Sequence, residues 1–480
     1  MSNIETVFPI INGERIDRND MRLADVISPY TGETVGKVKL ATKEDAANAI
    51  ESAYKTFHHT MKTLPAYERS SILHMAAQLL EAKTEEFAQV LALEAGKPLK
   101  DGRGEVGRAV QVLRFAADEA KKIEGELVPM DAAIGGENRI GMVKRYPIGV
   151  ISAITPFNFP LNLALHKLAP AFAAGNTVVL KPAGKTPISS SMLVEVFEEA
   201  GLPNGALNLV VGSGSEIGDT LVSHEKISKV TFTGSPAVGI NLKKQAGLKR
   251  VTLELGSNSP NIIFDDADIE KAAQSLVRGA FAFAGQVCIS AQRIYVQKGS
   301  YQKFLDLYLP LVEKLKTGDP SEETTEIGPM ISLDEAKRAE EWVQEAIEQG
   351  AKIATGGKRT DALLEPTVVL DIKPDMKIVC QETFAPIVSV IPFETAEEVI
   401  HAANDSNFGL QAGVFTNNIN QALKIADALE TGGVWINETS NYRQDNYPYG
   451  GVKLSGVGKE GVKYAMEDMT ETKFVGINLN

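Results

Sequence analysis

Between residues 149 and 255 short apolar runs alternate with helical stretches, and that alternation leaves few folds open to the chain. Residues 149–154, 177–181, 207–211, 230–233 and 251–255 read as strands. Residues 160–174 read as a helix with small side chains along it, and further helices open after Pro187, at GSGSEIG and at GSPAVG. Strands that take turns with helices build a parallel sheet wrapped on both faces. A second series follows, with strands expected at 262–264, 294–296, 387–391, 414–416 and 434–437. Its helices are expected at 269–283, 301–316, 333–349, 396–404 and 419–429. The fold class is therefore α/β, with two doubly wound parallel sheets. Ligands of such sheets bind beyond the carboxyl ends of the strands.

The segments around these series are plainer. The first 40 or so residues read as short strands, with turn signals at Asn12 and Ser28. A helix is expected from about residue 42, where Ala46, Ile50, Ala53 and Phe57 recur at helical spacing. Glu44 and Asp45 suit its first turn, where the helix dipole favours acids. Another covers 67–95 and stops at Gly96, Lys97 and Pro98, and a third covers 102–122. Residues 124–145 read as a β-hairpin leaving the compact body. Free strand edges are a liability, so such an arm is expected to complete another subunit's sheet. Residues 472–478 read as an edge strand that pairs with it.

Length and charge exclude several classes. A chain of 480 residues exceeds what one hydrophobic core supports. Its net charge of −13 opposes a nucleic-acid or anionic-membrane surface, which needs a basic field. Two cysteines make neither a disulfide framework nor a thiolate zinc site, and six scattered histidines give no HExxH, so no catalytic metal is expected. The stretch MSNIETVFPIINGERID carries Glu5 and Glu14 and does not read as a signal peptide. With no apolar run long enough to span a membrane, a reducing cytoplasm is the expected location.

The chemistry-bearing residues stand at strand ends. FAFAGQVCISAQR, residues 281–293, holds Cys288. Gly285 lets the backbone bend close to the thiol, and no neighbouring acid repels a thiolate, the attacking form. An inert core thiol has similar surroundings, and on this stretch alone that reading is the stronger. TPFNFP places Asn158 at the mouth of the first sheet, as an oxyanion donor or as a turn residue beside Pro160. KPAGKTP offers Lys181 and Lys185, for a ribose hydroxyl or phosphate or for solvent. GSGS at Gly212 and GSPAVG at Gly234 open helices whose amino ends favour anions, though neither has the GxGxxG spacing. Glu254, an acid in the apolar run TLELG, suits a general base or a structural ion pair. In QETFAP, Glu382 and Phe384 suit a sugar hydroxyl and a packed ring, while Cys380 just before reads as filler.

TPFNFP, KPA, FTGS, LELG, GQVC, ETFAP, NFGL, WIN and PYGGVKLSG stand in the order and at the separations of the aldehyde dehydrogenase superfamily. The chain resembles that superfamily over nearly its whole length, and the resemblance reverses the reading of Cys288. It implies a dinucleotide-binding domain from 1–123 and 146–255, a catalytic domain over 256–456, and an oligomerisation arm from 124–145 and 465–480. It implies that Cys288 attacks an aldehyde, that Asn158 and the Cys288 backbone N–H hold the oxyanion, and that Glu254 activates the hydrolytic water. NAD or NADP is the implied cofactor. Lys181 and Glu382 match its ribose ligands, Gly234 and Ser235 the helix start at the pyrophosphate, and Phe384 the ring near the nicotinamide. Ile154, Thr155, Ala183, Gly184 and Lys185 are expected around the same cleft, with Gly214, Phe232 and Leu255. A homo-oligomer, dimer or tetramer, is implied.

Some positions depart from the common pattern. Gly184 stands where many NAD-preferring members carry a glutamate, and with Lys185 beside it this leaves room for NADP. LELGSN replaces the usual LELGGK. His166 stands where succinic semialdehyde members carry arginine, which speaks against that substrate, and Val287 stands where non-phosphorylating glyceraldehyde-3-phosphate members carry arginine. Arg108 matches an arginine those enzymes use for phosphate. NFPLNLALHK and NYRQDNYPYGG resemble the branch acting on lactaldehyde and sulfonated short hydroxyaldehydes. The implied substrate is a small polar or anionic aldehyde, held by Phe159 and by Arg108, His166 and Arg443 as a partial anion site. A CoA-acylating enzyme and a catalytically silent homologue are the alternatives. The acid at Glu254 speaks against the first, and the retained Cys288, Asn158, Lys181 and Glu382 against the second.

Overall fold

A computed structural model describes residues 5–479. Residues 1–4 and 480, at the ends of the expected first domain and of the arm, lie outside the described residues. The first series forms β1 (Val150–Ile154), β2 (Thr177–Lys181), β3 (Leu207–Leu209), β4 (Ile227–Thr233) and β5 (Arg250–Glu254). They run parallel in the order β5-β4-β1-β2-β3. Gly456–Val457 pairs antiparallel with β5, and Ile10–Ile11 with β3. The chain passes from β1 to β2 and β3 on one side, then returns to lay β4 and β5 on the other. That reversal opens a crevice between the ends of β1 and β4.

The second series forms β6 (Ser259–Ile263), β7 (Ala291–Gln297), β8 (Thr367–Leu370), β9 (Ile387–Phe393), β10 (Gln411–Phe415) and β11 (Gly433–Ile436). These are parallel in the order β8-β9-β7-β6-β10-β11, and Lys352–Thr355 adds an antiparallel edge to β8. A third sheet joins Glu126–Val128, Arg139–Pro147 and Thr470–Asn478, all antiparallel. The last strand pairs with the arm over nine residues, from Thr470 opposite Pro147 to Asn478 opposite Arg139.

Several boundaries moved. The helix expected over 67–95 is two, Ala66–Ala82 and Thr84–Ala95. Lys83 leaves the helical region there, and the Thr84 hydroxyl donates to the Glu81 carbonyl, a local bond that competes with the helix ladder. The following helix is Leu99–Glu119. The helix expected over 269–283 ends at Phe281, because Phe283 and Ala284 adopt left-handed backbone. Lys352–Thr355 and Thr367–Leu370 are strands that were not expected.

Helix Asn162–Ala174 fills the centre of the first core. All 13 of its residues are buried, between Leu99–Glu119 on one side and the sheet on the other. His166 and Lys167 therefore cannot reach solvent and need partners inside the protein. No described helix is long and apolar enough to cross a membrane.

Candidate active site

The turn that presents Cys288 is built from unusual backbone. Phe283, Ala284 and Gly285 have φ of 47°, 53° and 68° in succession. At Gly285 a Cβ would stand 2.1 Å from the Ala385 carbonyl oxygen, so only glycine fits. The buried Gln286 pins the turn. Its Nε2 donates to the Phe283 carbonyl at 3.3 Å and its Oε1 accepts from the Ile331 N–H at 2.8 Å. Cys288 follows, half-buried, just before β7, with its Sγ 3.2 Å from the Tyr449 hydroxyl.

Asn158, four residues past β1, is buried against this turn. Its Nδ2 donates to the Gln286 carbonyl at 2.9 Å, which fixes the amide plane and leaves its second N–H available. Behind it lies a charge pair. Lys97 is fully buried, pairs with Glu105, donates to the Asn158 carbonyl at 2.6 Å, and sits 3.8 Å over the Phe159 ring and 4.5 Å over the Phe283 ring. Glu105 also accepts from the N–H groups of Leu161 and Asn162, each at 3.0 Å.

Glu254 ends β5 and is 3 % exposed, and neither of its carboxylate oxygens has a hydrogen-bond partner. Burial and then the Glu460 carboxylate push it well above the usual range, against Arg443, Lys167 and Lys459. Burial pushes the Cys288 thiol up to about 11, and the Tyr449 hydroxyl and Arg443 pull the other way.

Two cavities converge on this point. The larger, about 590 Å³, is lined by Arg108, Phe159, Phe283, Arg278, Thr439 and Arg443 among others. The smaller, about 290 Å³, is lined by Phe157, Gly234, Ser235, Leu255, Glu382 and Phe384. Asn158, Leu163 and Cys288 belong to both walls. In the smaller cavity Phe384 meets Phe157 edge to face at 6.0 Å, and Glu382 accepts from the Ser257 N–H at 2.9 Å. Burial pushes Glu382 up to about 7 against that bond.

The other expected cofactor residues lie at neighbouring strand ends rather than in that wall. Ile154 and Thr155 close β1, and the buried Thr155 hydroxyl has no partner. Lys181 closes β2 and donates to the Pro182 carbonyl at 3.3 Å, and burial lowers its affinity for the proton. Ala183, Gly184 and Lys185 follow it; burial likewise lowers Lys185. Phe232 packs its ring under Gly234, and Gly214 begins helix Gly214–Ser223.

The expected anion site is arranged differently. Arg108 and Arg443 line the larger cavity, whereas His166 sits behind it, engaged by Asp445 and Glu460. Asp445 sits among the three. It accepts from Arg108 Nη2 at 2.7 Å and lies 2.8 Å from His166 Nε2 and 3.7 Å from Arg443 Nε. Burial raises the Asp445 carboxyl, yet His166, Arg108 and Arg443 hold it well below the usual range. Glu460 accepts from Lys167 at 2.8 Å and from Arg443 at 3.0 Å. Three basic side chains, Arg108, Lys167 and Arg443, thus surround two carboxylates, Asp445 and Glu460.

Sequence reasoning missed Tyr449, Arg278, Asp445, Glu460, Lys167 and the Lys97–Glu105 pair as parts of this region. Lys167 carried the signal used for Glu254, a charge inside an apolar run. Tyr449 stood inside PYGGVKLSG without a role being read for it, and Glu460 carried no signal.

Comparison with known proteins agrees with the expected kinship. The sequence model of the aldehyde dehydrogenase family matches residues 16–475. A 3-sulfolactaldehyde dehydrogenase of Priestia aryabhattai is 49% identical over 455 residues, 95% of each chain. The crystal structure of aldehyde dehydrogenase 21 from Physcomitrella patens, in complex with the reaction product succinate, superposes with a TM-score of 0.96. It is 39% identical and covers 99% of each chain. Glyceraldehyde-3-phosphate dehydrogenase GapN from Methanocaldococcus jannaschii, complexed with NADP, gives a TM-score of 0.92 at 43% identity. That match covers 96% of this chain and 100% of the other.

Proposed function

The chain belongs to the aldehyde dehydrogenase family and is an oxidoreductase, and we propose that it oxidises a short polar or anionic aldehyde to its carboxylate with NAD or NADP. One observation carries this reading: two separate cavities open onto a single sulfur, that of Cys288. A cysteine reached from one side by aldehyde and from the other by a redox partner is what covalent aldehyde oxidation requires.

The smaller cavity and the strand ends beside it fit a dinucleotide. A Cβ at Gly234 would stand 2.5 Å from the Phe232 ring, and one at Gly256 would stand 2.6 Å from Glu382, so glycine lets both side chains pack close in this wall. Lys181 has no carboxylate partner among the described residues, and the Thr155 hydroxyl is buried without a bond. Gly234 and Ser235 open helix Pro236–Gln245 and suit a pyrophosphate; Lys181 and Glu382 suit ribose hydroxyls, and Phe384 packs a ring. When bound, NAD or NADP supplies the two-electron acceptor.

The chain's own residues do the rest. The Cys288 thiolate attacks the aldehyde carbon. The free N–H of Asn158 Nδ2 and the Cys288 backbone N–H receive the oxyanion, where preorganised donors in a dry site act most strongly. Oxidation of the thiohemiacetal carbon leaves a thioester on Cys288. Glu254 then takes a proton from water, whose oxygen attacks the thioester carbon; the carboxylate leaves and the Cys288 sulfur is freed. The unpartnered oxygens of Glu254 suit this task, because a base engaged in a salt bridge would have to break it first.

The basic side chains around Asp445 and Glu460 support an anionic substrate group, with Arg108 as its first contact in the larger cavity. The relatives agree with this: one is a 3-sulfolactaldehyde dehydrogenase, one a glyceraldehyde-3-phosphate dehydrogenase, and one was solved with the reaction product succinate. A homo-oligomer built through the arm belongs to the same reading, since strand Thr470–Asn478 ends its sheet and leaves Phe474 and Ile477 exposed. The test is a panel of lactaldehyde, sulfolactaldehyde, glyceraldehyde 3-phosphate, succinic semialdehyde and hexanal with NAD and NADP. The short polar or anionic members should give the highest kcat/KM, and Arg108→Ala should depress theirs alone. A preference for hexanal that survives Arg108→Ala would refute the substrate class.

A further inference from the structure

No cation adjoins Cys288 in sequence, yet one faces it in space. Loop 437–450 folds back after β11 and lays Arg443 flat on the Tyr449 ring, with Cζ 3.5 Å from the ring centroid. Tyr449 in turn directs its hydroxyl at Cys288 Sγ, 3.2 Å away. The Arg443 side chain is 6 % exposed and lines the same cavity as the sulfur.

Arg443 is held there by a clamp. Its Nη2 donates to Glu460 at 3.0 Å and comes within 2.6 Å of His166 Nδ1. His166 Nδ1 also lies 3.1 Å from Glu460 and its Nε2 lies 2.8 Å from Asp445, so the ring is held between the two carboxylates and against the guanidinium. Asp445 and Glu460 balance the guanidinium while the ring between them fixes its angle. A charge so confined cannot swing away to solvent, and stacking on the ring face keeps it against the tyrosine whose hydroxyl meets the sulfur.

We infer that Arg443, clamped by His166, Asp445 and Glu460, is a positioning residue that acts through Tyr449 to favour the anionic, attacking form of Cys288. The inference rests on Cys288 being the nucleophile. It gives the basic side chains of this cluster a resident use when no substrate anion is present. The groups facing the sulfur are Tyr449 and Arg443, which favour the thiolate, and Glu382 and Glu254, which oppose it. Those facing Arg443 are Tyr449, Glu460, Asp445, His166 and Cys288 itself.

Iodoacetamide tests this on the whole enzyme without aldehyde or cofactor. The sulfur lone pair forms the C–S bond, iodide leaves, and the thiol proton passes to buffer. The rate at each cysteine is followed by peptide mass spectrometry as pH is raised. Cys380, which is exposed and lines neither cavity, is the control within the same chain. In Arg443→Met the midpoint of the Cys288 rate profile should move up by about one pH unit, so that alkylation near neutral pH slows about tenfold while the high-pH limit stays. Arg443→Lys should recover part of the shift, and Tyr449→Phe should shift the midpoint in the same direction. The double variant Arg443→Met/Tyr449→Phe should shift it by less than the sum of the singles. An unchanged midpoint in both Arg443→Met and Tyr449→Phe, with Cys380 also unchanged, overturns the inference; so does strict additivity. Should Arg443→Met not fold, Arg443→Lys and Tyr449→Phe carry the comparison. A Cys288→Ser enzyme that still oxidises aldehydes would instead sink the nucleophile reading, whatever Arg443 does.

Discussion

Lys97→Met isolates what the buried charge pair contributes. The substitution keeps a long unbranched side chain and removes the ammonium. Glu105 then keeps the two N–H donors of Leu161 and Asn162 but loses its counter-ion, and the Asn158 carbonyl loses its donor. The contacts over Phe159 and Phe283 lose their cation as well. Breaking a buried ion pair from one side costs about 3–5 kcal/mol, because the remaining charge stays unpaired. The double variant Lys97→Met/Glu105→Gln keeps an acceptor for the two N–H groups without a stranded charge, and should regain about half of that loss. Both tryptophans, Trp342 and Trp435, lie on elements of the second sheet's side, so fluorescence would miss the event. Guanidinium unfolding should be followed by far-ultraviolet circular dichroism, with hydrogen exchange read on helix Leu99–Glu119. Turnover should also fall, since the Asn158 main chain loses its anchor. A loss below about 1 kcal/mol, or a double variant no more stable than the single, would refute the reasoning.

Other outcomes follow from the same geometry. Glu254→Gln should lower steady-state turnover by about 10²–10⁴-fold, while an initial burst of reduced cofactor remains, because the amide spares thioester formation but not its hydrolysis; a lost burst would contradict the assignment. Gly184→Glu should raise the KM for NADP at least about tenfold and leave that for NAD nearly unchanged, since a Cβ there meets no atom within 4 Å and the added acid faces a 2′-phosphate. Equal changes with both cofactors would count against it. Glu94, buried at the start of helix Pro187–Glu199, is pushed by burial to about 7 from its ordinary 4.5, against the Ile188 and Ser189 N–H groups. Its protonated form is favoured by folding, so the stability it contributes is present at low pH and is lost as pH rises through this window. Glu94→Gln should flatten stability between those two pH values, as measured by chemical denaturation at each pH.

What could be read from sequence was what depends on near neighbours. The alternation from residue 149 onward gave both sheets, since period and turn residues are local properties. Lys352–Thr355 and Thr367–Leu370 escaped because they lie outside the strand–helix alternation, and they pair with each other and with β9. In the site, Glu254 stood out as an acid in an apolar run, whereas Cys288 and Asn158 read as well or better as a core thiol and a turn residue until the order of the motifs brought in the family. Arg443 and His166, 277 residues apart, were already grouped with Arg108 by the resemblance, but the ties of Arg443 to Glu460 and to the Tyr449 ring arise only once loop 437–450 folds over helix Asn162–Ala174. The three basic side chains of the expected anion site do meet, around an Asp445 carboxylate that could not be placed among them before folding.

The left-handed turn ahead of Cys288 bears on how such an enzyme could be hardened against heat. Left-handed backbone costs about 1–2 kcal/mol at each residue that has a Cβ, and Phe283 and Ala284 both carry that strain. Glycine at 284 would relieve it, and in a stability screen that substitution would look like a gain. It would also loosen the one segment whose fixed shape decides where the sulfur lies between two openings. Selection for heat resistance and selection for turnover therefore pull in opposite directions at this turn, and a sequence evolved under the first pressure alone should drift toward glycine here and lose speed as it does so.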